Sequence, residues 1–165
     1  MTTEADVYDA LKYHVVEDEN GTRRYYNSAG DLHREHGPAI EWYNGACEWF
    51  QNNQLHRTDG PAIEYTNGHT EWYRNGLRHR EDGPAIIFPN GSRLWYQNGL
   101  RHRTYGPAVI FDNGDKIWYQ NGLLQRKDGP AVERSDGRRE WWINGKQCPQ
   151  AEFHEQLKSL EIKDG

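Results

Sequence analysis

The tripeptide Gly-Pro-Ala returns five times, at Gly37-Pro38-Ala39, Gly60-Pro61-Ala62, Gly83-Pro84-Ala85, Gly106-Pro107-Ala108 and Gly129-Pro130-Ala131, with 23 residues between successive prolines. A fixed period of this size marks a repeat architecture, in which each unit buries its apolar side only against its neighbours. Such stacks present surface. They rarely gather different groups at one point, as catalysis requires.

Counting from each proline exposes the unit. Six and seven residues on stand Asn44-Gly45, Asn67-Gly68, Asn90-Gly91, Asn113-Gly114 and Asp136-Gly137. These pairs favour a two-residue type I′ hairpin turn. Tryptophan follows at Trp49, Trp72, Trp95, Trp118 and Trp141, each with a second aromatic behind it: Phe50, Tyr73, Tyr96, Tyr119 and Trp142. A second turn pair closes the unit at Asn52-Asn53, Asn75-Gly76, Asn98-Gly99, Asn121-Gly122 and Asn144-Gly145. The expected fold class is all-β: an elongated antiparallel sheet of β-hairpin repeats with a short C-terminal capping α-helix.

A two-residue first turn dictates the register. It sets Ile40 opposite Trp49, Ile63 opposite Trp72, Ile86 opposite Trp95, Val109 opposite Trp118 and Val132 opposite Trp141. That face reads as the core, with Trp42, Tyr65, Phe88 and Phe111 beside it and Arg134 breaking the row. On the other face the same register opposes Glu41 to Glu48, Glu64 to Glu71, Ile87 to Leu94, Ile110 to Ile117 and Glu133 to Glu140. Facing like charges are unfavourable. Arginines between them, or a divalent cation, would relieve this, although carboxylates alone do not define a cation site. Ile87, Leu94, Ile110 and Ile117 form an apolar block that the chain or a partner must cover.

Ahead of each Gly-Pro lies Leu32-His33-Arg34, Leu55-His56-Arg57, Arg78-His79-Arg80, Arg101-His102-Arg103 or Leu124-Gln125-Arg126, often with an aspartate before the glycine (Asp59, Asp82, Asp128). One reading is a ladder in which histidine packs on tryptophan and arginine pairs with an acid of a neighbouring unit. The other is an anion-binding stripe, with His79, Arg80, His102 and Arg103 as its candidate residues. A shared zinc is not expected, because equivalent histidines lie two strands apart, roughly 9–10 Å.

At the N-terminus, Asn20-Gly21 precedes Tyr25-Tyr26 by the interval that separates Asn67 from Trp72, so residues 13–30 read as a degenerate first hairpin with one extra residue in its second turn. Residues 1–12 form an N-terminal segment, of which 1–10 could be a short helix or lack order. The repeat domain runs over 13–147, and 148–165 hold a helix and tail. Pro149 suits a first helical turn, and Phe153, Leu157 and Leu160 share one helix face. That helix can cap the last edge, serve a partner, or fold back over Ile110 and Ile117.

The apolar fraction is 35%, but seven tryptophans and ten tyrosines point to a thin aromatic core. A net charge of −5 argues against non-specific nucleic-acid binding and is too mild for a DNA mimic. No apolar run is long enough to span a membrane and no secretory signal is evident. Cys47 and Cys148, about 100 residues apart, suggest a reduced, cytoplasmic setting.

The segment Trp72-Tyr73-Arg74-Asn75-Gly76-Leu77-Arg78-His79-Arg80-Glu81-Asp82-Gly83 resembles a MORN repeat, with Tyr73, Gly76, His79 and Gly83 matching in order. Arg80 stands where glycine is usual, one residue is inserted before Gly83, and Pro-Ala follows it. The resemblance covers about residues 20–145 and is nearer to a variant with LHRxDGPA units found in bacteriophage proteins and related to antitoxin-like repeat proteins. It implies extended antiparallel sheets that mainly mediate protein contacts, and it transfers no catalytic residue, metal or cofactor.

The first functional expectation is a protein-binding module contacting a host protein, with Tyr73, Ile87, Leu94, Tyr96, Ile110, Ile117 and Tyr119 as anchors. By analogy with the phage proteins it would be an inhibitor of a host defence or nucleic-acid enzyme, anti-CRISPR-like, in an infected bacterial cytoplasm. A homodimer through the same apolar block is a variant that Ile110→Glu would dissociate. The alternative is a binder of phosphate or nucleotide using the His-Arg stripe. An enzyme is not expected, since no nucleophile–base pair or phosphate loop stands out.

Overall fold

The computed structural model describes residues 12–161. The segment expected over 1–12 falls outside them except for its last residue, and so does the Leu160 side chain. Thirteen short antiparallel strands form one open sheet in chain order, from His14–Glu17 at one edge to Lys146–Cys148 at the other. Four two-stranded hairpins, Phe50–Leu55, Tyr73–Arg78, Tyr96–Arg101 and Tyr119–Leu124, alternate with the strand pairs of that sheet. Each of the first four 23-residue units therefore gives one hairpin to the long sheet and one to a second row of tight turns, and in the fifth the second hairpin continues the long sheet through Lys146–Cys148.

The two kinds of turn differ, and the difference corrects the expected register. The second turns are two-residue type I′ corners: Gln51 pairs with Gln54, and Asn52 and Asn53 both have positive φ, 50° and 61°. In the first turns only glycine has positive φ, 86° at Gly45. Gly45 N–H donates to the Trp42 carbonyl at 2.8 Å, and Trp42 N–H to the Ala46 carbonyl at 2.9 Å. This is a three-residue loop, a type I turn followed by left-handed glycine. Asn44 accepts the Ala46 N–H at 3.0 Å, so the asparagine is chosen for its side-chain oxygen.

One extra loop residue slips the pairing by one, so that Ile40 faces Glu48 and Glu41 faces Cys47. The expected opposition of Ile40 to Trp49, and of its four counterparts, is replaced by Ile63–Glu71, Ile86–Leu94, Val109–Ile117 and Val132–Glu140. The facing glutamates expected on the other side do not exist as pairs, and with them goes the reason to seek a cation there. The apolar block is likewise split: Leu94 and Ile117 join the buried row, whereas Ile87 and Ile110 face Arg93 and Lys116 on the opposite side.

The core runs along that corrected row. Ile86, Leu94, Val109, Ile117 and Val132 are buried with Ala85 and Tyr96, and Trp72, Phe88, Tyr119 and Trp142 pack against them. Burying one such side chain stabilises by roughly 1.5–3 kcal/mol. Phe88 does flank this core, but Tyr65 and Phe111 remain exposed. Glu71 occupies a core position and is satisfied by His69 at 2.9 Å, the Tyr73 hydroxyl at 2.9 Å and Arg78 at 3.0 Å. Burial pushes its pKa up, but those donors outweigh it and hold it below the ordinary value.

The first hairpin pairs His14 to Tyr26 through Glu17 to Arg23, and its following turn carries three residues, Ser28, Ala29 and Gly30, closed by Asn27 and Asp31. At the far end Phe153, 1% exposed, opens the helix Phe153–Glu161 and packs on Ile143, Cys148 and Trp141. The helix therefore caps the last strands and does not fold over Ile110.

Candidate functional site

The Gly-Pro-Ala segments are built around an arginine. Arg57 lies with Cζ 4.0 Å from the centre of the Trp49 ring, and Arg80, Arg103 and Arg126 repeat this on Trp72, Trp95 and Trp118 at 4.0, 4.0 and 4.1 Å. Arg34 does the same on Tyr25 at 3.8 Å. The other side of the guanidinium rests on glycine: a Cβ on Gly60 would come within 2.7 Å of Arg57 Cζ, and one on Gly83 within 3.1 Å of Arg80 Cζ. The glycine thus leaves room for a cation sandwiched between backbone and indole. The next proline carbonyl accepts from Nη1, at 3.1 Å for Arg57, Arg80 and Arg103. The alanine is fully buried, and the carbonyls of Ala62, Ala85, Ala108 and Ala131 accept the N–H groups of Trp49, Trp72, Trp95 and Trp118.

The expected ladder is real, with its partners exchanged. Arginine, not histidine, packs on tryptophan. Histidine reaches the next type I′ turn: Nδ1 of His79 lies 3.0 Å from Oδ1 of Asn98 and accepts its backbone N–H at 3.2 Å, and His102 does the same to Asn121 at 2.8 and 3.2 Å. The inner nitrogens of both candidate anion-binding histidines are therefore engaged in joining units.

Three arginines are neutralised from within the chain. Arg34 pairs with Glu41 at 2.6 Å, Arg57 with Glu64 at 2.8 Å and Arg126 with Glu133 at 2.6 Å, always seven residues on. Asp59 and Asp128 add second pairs to Arg57 and Arg126. In the two central units the acid is Ile87 or Ile110, and Arg80 and Arg103 form no ion pair among the described residues. Arg103 also has Tyr105, 87% exposed, in place of the aspartate. The electrostatics follow: burial lowers the Arg103 pKa unopposed, whereas at Arg126 the same burial is outweighed by Asp128 and Glu133 and the value rises. Between Arg80 and Arg103 lies a cleft of about 590 Å³ with Trp95, His102, Asp82 and Tyr105 on its walls. Arg93 and Lys116, cross-strand from Ile87 and Ile110, share the same side of the sheet.

Of the seven expected protein-contact residues, Ile87 and Ile110 lie half-buried on this open side. Leu94, Tyr96 and Ile117 are buried: the one-residue slip brings Leu94 and Ile117 into the core row, Tyr96 packs there from its hairpin, and a partner does not reach any of them. Tyr73 is half-buried and donates to Glu71; burial first and then that carboxylate push its pKa up to about 12. Tyr119 packs on the core and accepts from Arg101 at 3.4 Å. A row that the sequence did not bring forward is Leu77, Leu100 and Leu123, each about half exposed and each set beside the glycine of the next turn, Gly99, Gly122 and Gly145. Its signal was present, since leucine directly follows three of the Asn-Gly pairs.

Burial raises the pKa of both Cys47 and Cys148, so neither thiol is poised as a nucleophile. No group of three His, Cys, Asp or Glu side chains comes together as a metal set among the described residues. No described helix is long and apolar enough to cross a membrane. No family model matches this sequence, and no curated protein matches it.

Proposed function

We propose that this chain is a non-catalytic, protein-binding repeat module whose contact surface is the open side of its two central units. The observation that carries this reading is the loss of the internal acid at Ile87 and Ile110, next to Arg80, Arg103, Arg93 and Lys116. Elsewhere the same positions complete intra-chain ion pairs and serve the stack. A departure from the repeat that costs two ion pairs, and places two partly exposed isoleucines among four cations, suits recognition better than stability. The repeat resemblance adds the narrower reading of a bacteriophage inhibitor acting on a host defence or nucleic-acid enzyme, and that part rests on the repeat signature alone.

Affinity capture on the immobilised chain from a bacterial lysate, read by mass spectrometry, tests the module reading. It expects one protein retained in stoichiometric amount and lost when Ile87 and Ile110 are replaced. Retention of nothing beyond a control column of unrelated repeat protein would refute it.

A second reading, a small anion on Arg80 and Arg103, draws on the same missing acids. It keeps the arginines and loses much of the histidine contribution, because His79 and His102 are bonded to Asn98 and Asn121. Calorimetry with inorganic phosphate or a nucleoside triphosphate separates it from the first, since a protein-binding surface need not retain either.

A further inference from the structure

We infer that the partner presents an extended acidic segment whose carboxylates take up, at Arg80 and Arg103, the places that Glu41, Glu64 and Glu133 fill in the other units. This rests on the protein-binding reading and names the chemistry of the partner. The geometry of the vacancy is drawn three times within the chain itself. A carboxylate oxygen sits 2.6 to 2.8 Å from arginine Nη1 while that arginine remains stacked on its ring and bonded to the proline carbonyl. Arg80 and Arg103 keep the stack and the carbonyl bond and lack the carboxylate. They are already ordered, so binding an acid there needs little further immobilisation of either side chain.

The spacing selects the form of the segment. Equivalent atoms one unit apart lie two strands apart, roughly 9–10 Å. A polyproline II segment has three residues per turn and rises about 3.1 Å per residue, so every third side chain points the same way about 9.3 Å further on. Acidic residues at every third position therefore fit the arginine pair. Two acids of the chain also border the cleft. Glu81 is held by Arg74 at 2.8 Å, and Asp82 sits on the exposed rim without an ion pair among the described residues. Arg103, with neither an aspartate before its glycine nor a glutamate on its strand, is the stronger anchor.

The test uses the whole chain and a labelled peptide of four Glu-Pro-Pro triplets, with four Gln-Pro-Pro triplets as control, followed by fluorescence anisotropy. The acidic peptide binds the wild type, and the Gln peptide binds at least tenfold more weakly. The Ile87→Glu/Ile110→Glu variant restores the internal acids on a pattern the fold already uses. It loses affinity at least tenfold with unchanged circular dichroism, whereas Ile87→Gln/Ile110→Gln, of the same reach but without charge, retains it. Arg103→Gln reproduces the loss if the double glutamate variant fails to fold. Equal binding of both peptides, equal binding by the Glu variant, or binding to phosphatidylserine vesicles without binding to the acidic peptide overturns the inference. A captured partner that is lost equally with the Glu and the Gln variants would overturn it too, while leaving the protein-binding reading intact.

Discussion

Gly60→Ala puts the arginine sandwich to a test of sign. Gly60 is not among the residues with positive φ, so the backbone itself accepts alanine. Were this glycine only a flexible connector, alanine would stabilise by about 0.4–1 kcal/mol through the unfolded chain. The sandwich requires the opposite. The new Cβ would lie 2.7 Å from Arg57 Cζ and 2.9 Å from Nε, so the guanidinium must leave its seat. It then gives up the stack on Trp49 at 4.0 Å, about 1 kcal/mol for a partly desolvated cation on indole. It also weakens the Glu64 pair at 2.8 Å and the Pro61 bond at 3.1 Å, together about 1 kcal/mol after discounting for their partial exposure. The expected loss is about 2 kcal/mol, a fall in Tm of about 4–8 °C for a domain of this size. Urea and thermal melts followed by tryptophan fluorescence measure it, and an Arg57→Ala background isolates the cause. There, alanine at 60 becomes neutral or mildly stabilising, giving a coupling of about 2 kcal/mol. A Gly60→Ala chain that melts at or above the wild type would refute the sandwich as the reason for glycine.

Phe153→Ala should cost about 3–5 kcal/mol, because it empties the site where the helix meets Ile143 and Cys148, and urea unfolding measures the loss. Asp115 accepts the Ser135 N–H at 2.8 Å and pairs with Arg134 at 3.0 Å, which bring its pKa down to about 2. A depressed carboxyl stabilises above its ordinary value of 3.8 and loses that contribution as pH falls toward 2. The Asp115→Asn chain should therefore show a flatter acid limb over that window, and an unchanged limb would contradict the assignment. Glu71→Leu, which installs the residue that Leu94 supplies one unit on, should bring the Tyr73 phenol down from about 12. Tyrosinate absorbance during an alkaline titration reports this, and no shift would mean that burial alone holds the phenol up.

Much of the fold was legible because the signals are local. The period, the two turns per unit and the terminal helix follow from residues that act on their own backbone, such as Gly45 with its left-handed φ and Pro149 at a helix start. The register was not legible, because Asn-Gly serves two loops of different length. At Asn75-Gly76 both residues are left-handed, whereas at Asn44-Gly45 only the glycine is. The choice between them lies in how flanking side chains pack. Ile86 with Leu94 and Val109 with Ile117, each eight residues apart, were the pairs that could have identified the odd loop. The candidate site was half legible for the same reason. His79, Arg80, His102 and Arg103 stood out as a stripe, but which of them bond within the stack depends on cross-unit distances. The change from glutamate to Ile87 and Ile110 was visible as composition, and its meaning appeared only once Arg57 was seen reaching Glu64.

Each corner, clamp and stack described above closes within one period or reaches only into the next. Such a ribbon can be shortened by splicing out a whole period without disturbing what remains. Removal of residues 87–109 would join Ile86 to Ile110 in phase, so that Arg80 meets isoleucine at its usual interval while Arg103 disappears. The product should fold as a shorter ribbon with one ring-stacked arginine that lacks its carboxylate, where the described residues of the parent hold two. Length is thus a free parameter of this architecture, and the one thing that cannot be spliced away at no loss is the pair of neighbouring units that depart from the rule.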